Sequence, residues 1–185
     1  MPKPIHVLGF SGSLRKGSYN TALLRAAQGL LPEGVTLEIF DIAHIPLYNQ
    51  DAEQTGLSEA VLHFKERIAA ADALLIATPE YNYSIPGVLK NAIDSASRNP
   101  NAFDEKPVAF MGASMGMLGS ARSQYHLRQV CVYLNMHPIN KPEVLVAAAH
   151  EKFDAEGNLT DEIARKLITG LLKSLADWTR RLGGE

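Results

Sequence analysis

Apolar residues recur along the chain in short blocks whose spacing switches between two periods. Ile5 to Phe10 is a brief apolar run with a turn-rich segment after it, the pattern of a strand covered on both faces in a parallel sheet. Asn20, Leu23, Leu24, Ala27 and Leu31 follow at helical spacing, with Ser18 placed to cap the helix start. Val35, Leu37 and Ile39 alternate with polar neighbours, which predicts a half-covered edge strand over 35–40. Leu57, Val61, Phe64, Ile68 and Ala71 make the next helical stripe. Ala73 to Ala77 is the most apolar short run and predicts a central strand that Pro79 ends. Pro86 stands where a first helical turn tolerates proline, and Leu89, Ala92, Ile93 and Ala96 give that helix its inner face. A fourth strand is predicted over Val108–Gly112, then a loop from Ser114 to Gly119 and a helix with Leu127, Val130, Cys131 and Leu134 on one side. A fifth strand over Val144–Ala147 and a final helix complete the pattern. That helix opens at Thr160 and turns Ile168, Leu171, Leu172, Leu175 and Trp178 inward.

Strand and helix alternate without a repeat, linker or low-complexity segment. Right-handed crossovers convert this alternation into an α/β fold, a doubly wound parallel sheet with helices on both faces. Five strands point to the flavodoxin-like order 2-1-3-4-5. Its ligand crevice opens at the carboxyl ends of the first and third strands. A chain of 185 residues with no boundary signal reads as a single domain over 1–185.

Composition narrows the partners. With 46% hydrophobic and 21% charged residues, the chain has ordinary globular composition. A net charge of −2 with scattered basic residues gives no field for nucleic acid and no polybasic anchor. The apolar segment near the N-terminus is too short for a signal-peptide core, and the longest apolar stretch, 68–78, is broken by Asp72. A cytoplasmic location with no membrane partner is therefore expected. The lone cysteine, Cys131, sits among Val130, Val132 and Leu134 and reads as a small buried hydrophobe. The histidines show no metal-ligand spacing, so no metal is expected. His126, near Arg122 and Arg128, reads as a surface or contact residue.

Chemistry concentrates in the loops after the first, third and fourth strands. Gly9 to Asn20 leaves the first strand and opens the first helix, so backbone N–H groups and the helix dipole converge there. Hydroxyls of Ser13 and Ser18, the amide of Asn20 and the guanidinium of Arg15 are candidate donors to a phosphate. Gly9 and Gly12 lack the dinucleotide spacing, and no Gly-Lys-Ser/Thr ends the loop, so a mononucleotide monoester fits better. The second segment, Thr78 to Gly87, is stiffened by Pro79 and Pro86. With Tyr81 and Tyr83 it suits a flat heterocycle bearing donors and acceptors on one edge. Glu80 reads first as a hydrogen-bond acceptor and only second as a general acid. In the third segment, Gly116 and Gly119 permit close backbone approach, while Met115 and Met117 read as core residues more readily than as the lining of an adaptable pocket.

Together these segments resemble the NAD(P)H-dependent FMN reductase family, in particular its bacterial quinone and chromate reductase members. The resemblance is carried by Gly12 to Asn20 and by Pro79 to Asp94, and it extends through Gln124 to Gln129 and Asn140 to Glu143. The helix from Ser58 and the chain beyond Ala147 match only in outline. The resemblance implies that Ser13, Leu14, Arg15, Lys16, Gly17, Ser18, Tyr19 and Asn20 wrap the FMN phosphate. It implies further that Pro79, Glu80, Tyr81 and Asn82 line the isoalloxazine, with Ser114 on the facing loop. The implied activity moves electrons from NADPH or NADH through flavin to a small acceptor: a quinone, free flavin, an azo compound or chromate. Tyr81 and Tyr83 would shape the open face, and no side chain is required as an acid or base.

The rival readings are a flavodoxin-type electron carrier and a nicotinamide-only dehydrogenase. Carriers are expected to be strongly acidic, unlike this chain, and the dehydrogenase lacks its fingerprint. A homo-oligomer, dimer or tetramer, is also expected. The helix over 120–135 keeps Arg122, Tyr125, Arg128, Gln129 and Val132 on the side away from the sheet, and Glu143 offers a carboxylate to Arg122 or Tyr125 across a symmetric interface.

Overall fold

The structure, a computed structural model, describes residues 3–184. Its elements follow the alternation in the sequence: β1 (Ile5–Ser11), α1 (Tyr19–Gln28), β2 (Val35–Phe40), α2 (Gln50–Thr55), α3 (Glu59–Ala70) and β3 (Ala73–Ala77). Then come α4 (Gly87–Ala96), β4 (Pro107–Ala113), α5 (Ala121–Leu134), β5 (His137–Pro138), β6 (Val144–Val146) and α6 (Glu162–Leu182). All pairings are parallel in the order β2-β1-β3-β4, with β5 and β6 both on the outer edge of β4.

Period-two alternation sorts the strand residues onto two cores. Val7, Leu75 and Met111 face α1 and α6, where they meet Leu23, Leu24, Ile168, Leu172 and their neighbours. Leu8, Phe10, Ile76 and Phe110 face the other way, onto Phe64 and Ile68 of α3, Leu89 and Ile93 of α4, and Leu127 of α5. Cys131 lies in this second core, and burial pushes its thiol up to about 12. The edge position of β2 and the full burial of β3 and β4 match the alternating and continuous runs that encode them.

Several details depart from the sequence pattern. The predicted fifth strand over 144–147 is present as β6, paired through Met111↔Val144, but an unpredicted two-residue piece, β5, precedes it on the same edge of β4, paired through Pro107↔His137. Between them Pro142 has no N–H to give to a ladder. The short helix α2 buries none of its residues, so no apolar stripe announced it. It is held by the Asn49 cap and by Glu53, which accepts from Tyr48 Oη at 2.7 Å and from Arg98 Nε at 3.0 Å. Pro86 stands at the N-cap of α4 rather than inside its first turn. Asp161, not Thr160, caps α6, accepting the Ala164 N–H at 2.8 Å, and Thr160 instead donates to Lys152 O. Val130 and Trp178 are only half-buried, and the Trp178 indole N–H donates to His137 O at 3.1 Å.

Candidate functional site

Parallel strands end at one edge of the sheet, and the loops beyond β1, β3 and β4 are tied together there. The Gly12 N–H donates to Ala77 O (2.8 Å), the Thr78 N–H to Met111 O (2.9 Å) and the Ser114 N–H to Val146 O (3.0 Å). A side chain at Gly12 would press on Pro79 and Leu89, so the first and second loops touch through that glycine. The Asn20 carboxamide was expected to face a phosphate. It is buried instead, donating to Ala113 O at 3.0 Å and accepting the Ala113 N–H at 2.9 Å. Its task is to fix the first loop against the fourth strand.

The remaining donors of the first loop stay open. Among the described residues, no protein acceptor meets the N–H groups of Leu14, Arg15, Lys16 or Gly17. Ser18 accepts the Thr21 N–H at 3.3 Å as the N-cap of α1, which leaves its own hydroxyl hydrogen to give. Ser13 is nearly buried, with its N–H on Ser11 Oγ at 3.2 Å. Arg15 donates through Nη2 to Gly17 O at 2.8 Å, and its Cζ lies 5.7 Å from the centroid of the Tyr19 ring. Open N–H groups, hydroxyls and the cations Arg15 and Lys16 thus gather at the positive end of α1, a donor set suited to a phosphate monoester. A cavity of about 290 Å³ adjoins this loop, between Ser13, Arg15 and Lys16 and the end of β2 at Asp41. A larger one of about 590 Å³ lies at the far edge of the sheet, beside Ile5, Asp72 and Lys106. Size does not decide between them, because Leu14, Arg15 and Lys16, with their open N–H groups, line the smaller.

The second loop is a tight hairpin. Tyr81 and Ser84 exchange backbone hydrogen bonds of 3.1 and 3.0 Å around Asn82 and Tyr83, whose φ values are 49° and 67°. A two-residue turn of this hand normally takes asparagine or glycine, so a tyrosine there is held against its preference by its surroundings. What holds it is Arg122, whose Cζ lies 3.3 Å from the Tyr83 ring centroid. Ser84 Oγ and His126 Nδ1, 2.9 Å apart, add a second tie to α5. Tyr83 is 69% exposed, and Tyr81, Leu14, Met115, Met117 and Leu118 are exposed with it at this edge of the sheet. Met115 and Met117 therefore contribute to an apolar rim, not to the core.

Glu80 is the pivot between the second loop and α5. Its side chain is 7% exposed, and its carboxylate accepts the N–H groups of Arg122 (3.0 Å) and Ser123 (3.4 Å) while gripping the Arg122 guanidinium. That hydrogen bond holds the guanidinium above its ordinary pKa. Ser120, the residue before α5, has φ 74° and offers no side-chain cap, so Glu80 caps the helix from another element. The acceptor reading of Glu80 accounts for every contact it makes.

Sequence reasoning missed the polar layer beneath the loops. Thr78 Oγ1 lies 3.0 Å from Ser123 Oγ, and Gln124 Nε2 donates to Val144 O at 3.1 Å, all buried. Gly112 is required beside them, since a Cβ there would overlap Ser120 Oγ and Thr78 O. The signal was available: Ser120, Ser123 and Gln124 share the helical stripe of Leu127 and interrupt it with polar groups. In the third loop, Ser114 Oγ accepts the Gly116 N–H at 3.0 Å, and Gly116 O accepts the Ala148 N–H at 3.3 Å. Arg122, Tyr125 and Glu143, expected to meet across an interface, find partners within the chain: Arg122 on Glu80, and Tyr125 Oη on Glu143 Oε1 at 3.1 Å. Arg128 likewise donates to Ile139 O at 3.0 Å. Among the described residues no cluster of His, Cys, Asp or Glu is arranged to hold a metal.

Comparison with known proteins matches this architecture to a named set. A family model described as NADPH-dependent FMN reductase covers residues 5–151. An NAD(P)H-dependent FMN reductase of Pseudomonas aeruginosa is 57% identical over 100% of both chains. An NADPH:quinone oxidoreductase of Arabidopsis thaliana is 47% identical over 98% of this chain and 95% of its own. Among solved structures, a flavoenzyme NAD(P)H:(acceptor) oxidoreductase of Paracoccus denitrificans superposes with a TM-score of 0.87 at 35% identity, covering 96% of this chain and 98% of that one.

Proposed function

The chain belongs to the NADPH-dependent FMN reductase family, and we propose that it holds FMN across the three loops at the carboxyl edge of its sheet and reduces a small acceptor at the expense of NAD(P)H. The observation that carries this reading is the set of open N–H groups over 14–17 at the positive end of α1, flanked by Arg15, Lys16 and the Ser13 and Ser18 hydroxyls. Those residues, with Tyr19, surround the phosphate. Asn20 acts indirectly, by pinning the loop to Ala113. Pro79, Glu80, Tyr81 and Asn82 border the ring on one side and Ser114 and Gly116 on the other. The N–H groups of Glu80 and Asn82, which meet no protein acceptor among the described residues, suit the acceptor atoms along a flavin.

Bound FMN supplies the redox chemistry, accepting hydride from a nicotinamide and yielding electrons onward. The protein's work is to fix the ring, supply hydrogen-bond donors where negative charge accumulates, and leave one face reachable. The exposed, flat, apolar rim of Tyr81, Tyr83 and Met117 favours a planar acceptor, and quinones are the class we infer. An electron-carrier role is disfavoured by the near-neutral net charge of −2. No described helix is long and apolar enough to cross a membrane.

The test is an absorption spectrum of the purified protein followed by steady-state kinetics. A yellow protein bleached within the mixing time by NADPH is expected, with parallel initial-rate lines when NADPH and a benzoquinone are varied together, since both substrates must use the same opening in turn. A protein that retains no flavin absorbance after incubation with FMN and removal of the unbound flavin would remove the basis of the proposal. Intersecting lines would remove the shared opening.

A further inference from the structure

Behind the candidate phosphate loop the chain places a hairpin that lies beyond the stretch matched by the family model, which ends at residue 151. Its strands meet at Phe153 and Leu159. It is closed by Asp154, which accepts the Asn158 N–H at 2.7 Å and the Asn158 amide at 2.9 Å, and anchored by the Lys152–Asp161 ion pair at 2.8 Å. Leu159 is buried in the α1/α6 core, and Phe153 packs against the edge of that core. From there the Phe153 ring stacks on Tyr19, centroids 5.0 Å apart and planes inclined by 34°. Tyr19 in turn carries the Arg15 guanidinium, 5.7 Å from its ring centroid, while Arg15 Nη2 holds Gly17 O. A hairpin remote in sequence thus ends in a chain of contacts, Phe153 to Tyr19 to Arg15, that reaches the cation expected to meet the phosphate.

We propose that Phe153 is a positioning residue for this site: through Tyr19 it holds Arg15 in place and so sets the protein's preference for a phosphorylated flavin over its dephosphorylated form. The inference rests on the reading of 13–20 as the phosphate loop. A guanidinium on a long, mobile side chain loses much of its value as a phosphate donor unless it is ordered beforehand. The ring of Tyr19 supplies that order as a cation–π seat, and a seat that rotates freely supplies less of it. Phe153 fixes the ring by an offset aromatic contact whose own support is the closed hairpin and the core. It has no polar atom to offer any ligand, so its effect falls on the phosphate term alone.

The experiment is fluorescence titration of the full chain, stripped of flavin, with FMN and with riboflavin in parallel, for the wild type, Arg15→Ala, Phe153→Ala, Phe153→Leu and Phe153→Tyr. Phe153→Ala and Phe153→Leu are each expected to lower the FMN-over-riboflavin ratio about two- to five-fold, the range of one exposed cation–π contact, with riboflavin affinity unchanged. Phe153→Tyr is expected to restore the ratio. Phe153→Leu keeps the apolar bulk without the ring and serves where Phe153→Ala folds poorly. Combined with Arg15→Ala, neither substitution should lower the ratio further. A wild-type ratio in Phe153→Leu, or an equal loss of both flavins, overturns the proposal while leaving the phosphate loop intact. An unchanged ratio in Arg15→Ala overturns the phosphate reading, and this inference with it.

Discussion

Arg15 shows how much a single residue's role depends on what its neighbours have already taken. Asn20 is bound to Ala113 and Ser18 caps α1, which leaves Arg15 and Lys16 as the charged donors of the first loop. Arg15→Ala is therefore expected to weaken FMN binding more than any other truncation there. One charge-assisted bond contributes about 1.5–3 kcal/mol, or roughly ten- to a hundred-fold in Kd. Riboflavin binding should barely change, and a variant that still prefers FMN as the wild type does would show the phosphate held elsewhere. At this scale the sequence was legible where a residue acts locally. Ser18 as a cap and Cys131 as a buried hydrophobe follow from their immediate neighbours. The bond that Asn20 makes to β4 was hidden because its partner lies 93 positions away. Nothing in the residues around an asparagine reveals such a bond.

Elements were legible in proportion to how much apolar surface they bury. The strands β1, β3 and β4 carry continuous apolar runs and helices α1, α3, α4 and α6 periodic stripes, whereas α2 buries nothing and β5 is too short to alternate. Helix starts capped from a distance were equally hidden, and α5 depends on Glu80 for its first turn. Glu80→Gln tests whether that is its whole role. It should cost about 1–3 kcal/mol in urea denaturation, because a charged acceptor shared by backbone N–H groups and Arg122 becomes a neutral one. The pH profile of kcat should keep its shape and kcat should fall far less than the hundred-fold expected on losing a general acid. A profile that loses an acidic limb would return Glu80 to the chemistry. Asp161 offers a second test at the start of α6. The Lys152 ammonium, and then the Ala164 N–H, hold its carboxyl below the usual value of 3.8. A depressed carboxyl stabilises the fold in full above its ordinary value and loses that contribution as pH falls through the folded one. Asp161→Ala should therefore cost about 1 kcal/mol near pH 7, the size of a lost helix cap, and the gap in melting temperature from wild type should close on acidification below about pH 4. A gap that persists unchanged at pH 2 would trace the loss to packing instead.

At the scale of the whole molecule, the sheet order followed from alternation and crossover handedness, and the candidate site is the one that this order suggests, where it reverses. Assembly did not follow in the same way. The polar groups of Arg122, Tyr125 and Glu143, expected at an interface, are satisfied inside the chain, so they do not argue for a second copy. What argues for one is the apolar surface left over on α5. Val132 is 84% and Tyr133 91% exposed, and Tyr125 stands on the same helix. Beside them a groove of about 370 Å³ runs between α4 and α5, past Tyr48, Lys90, Arg98 and Val130. Contiguous aromatic and aliphatic surface rimmed by charges has the composition of an interface core, and a helix face is readily self-complementary about a two-fold axis. We expect a homo-oligomer, a dimer or a tetramer, at micromolar concentration. Tyr133→Lys and Val132→Asp should dissociate it by placing unpaired charges at the centre of the contact. Arg15→Ala should leave it whole. Arg122→Ala is now a poor probe of assembly, because it would first release Glu80 and unsettle the start of α5. Sedimentation decides the matter: a lone species of 20.2 kDa with flavin bound and full activity would falsify the expectation. A larger species that Tyr133→Lys leaves intact would move the interface to another face of the molecule.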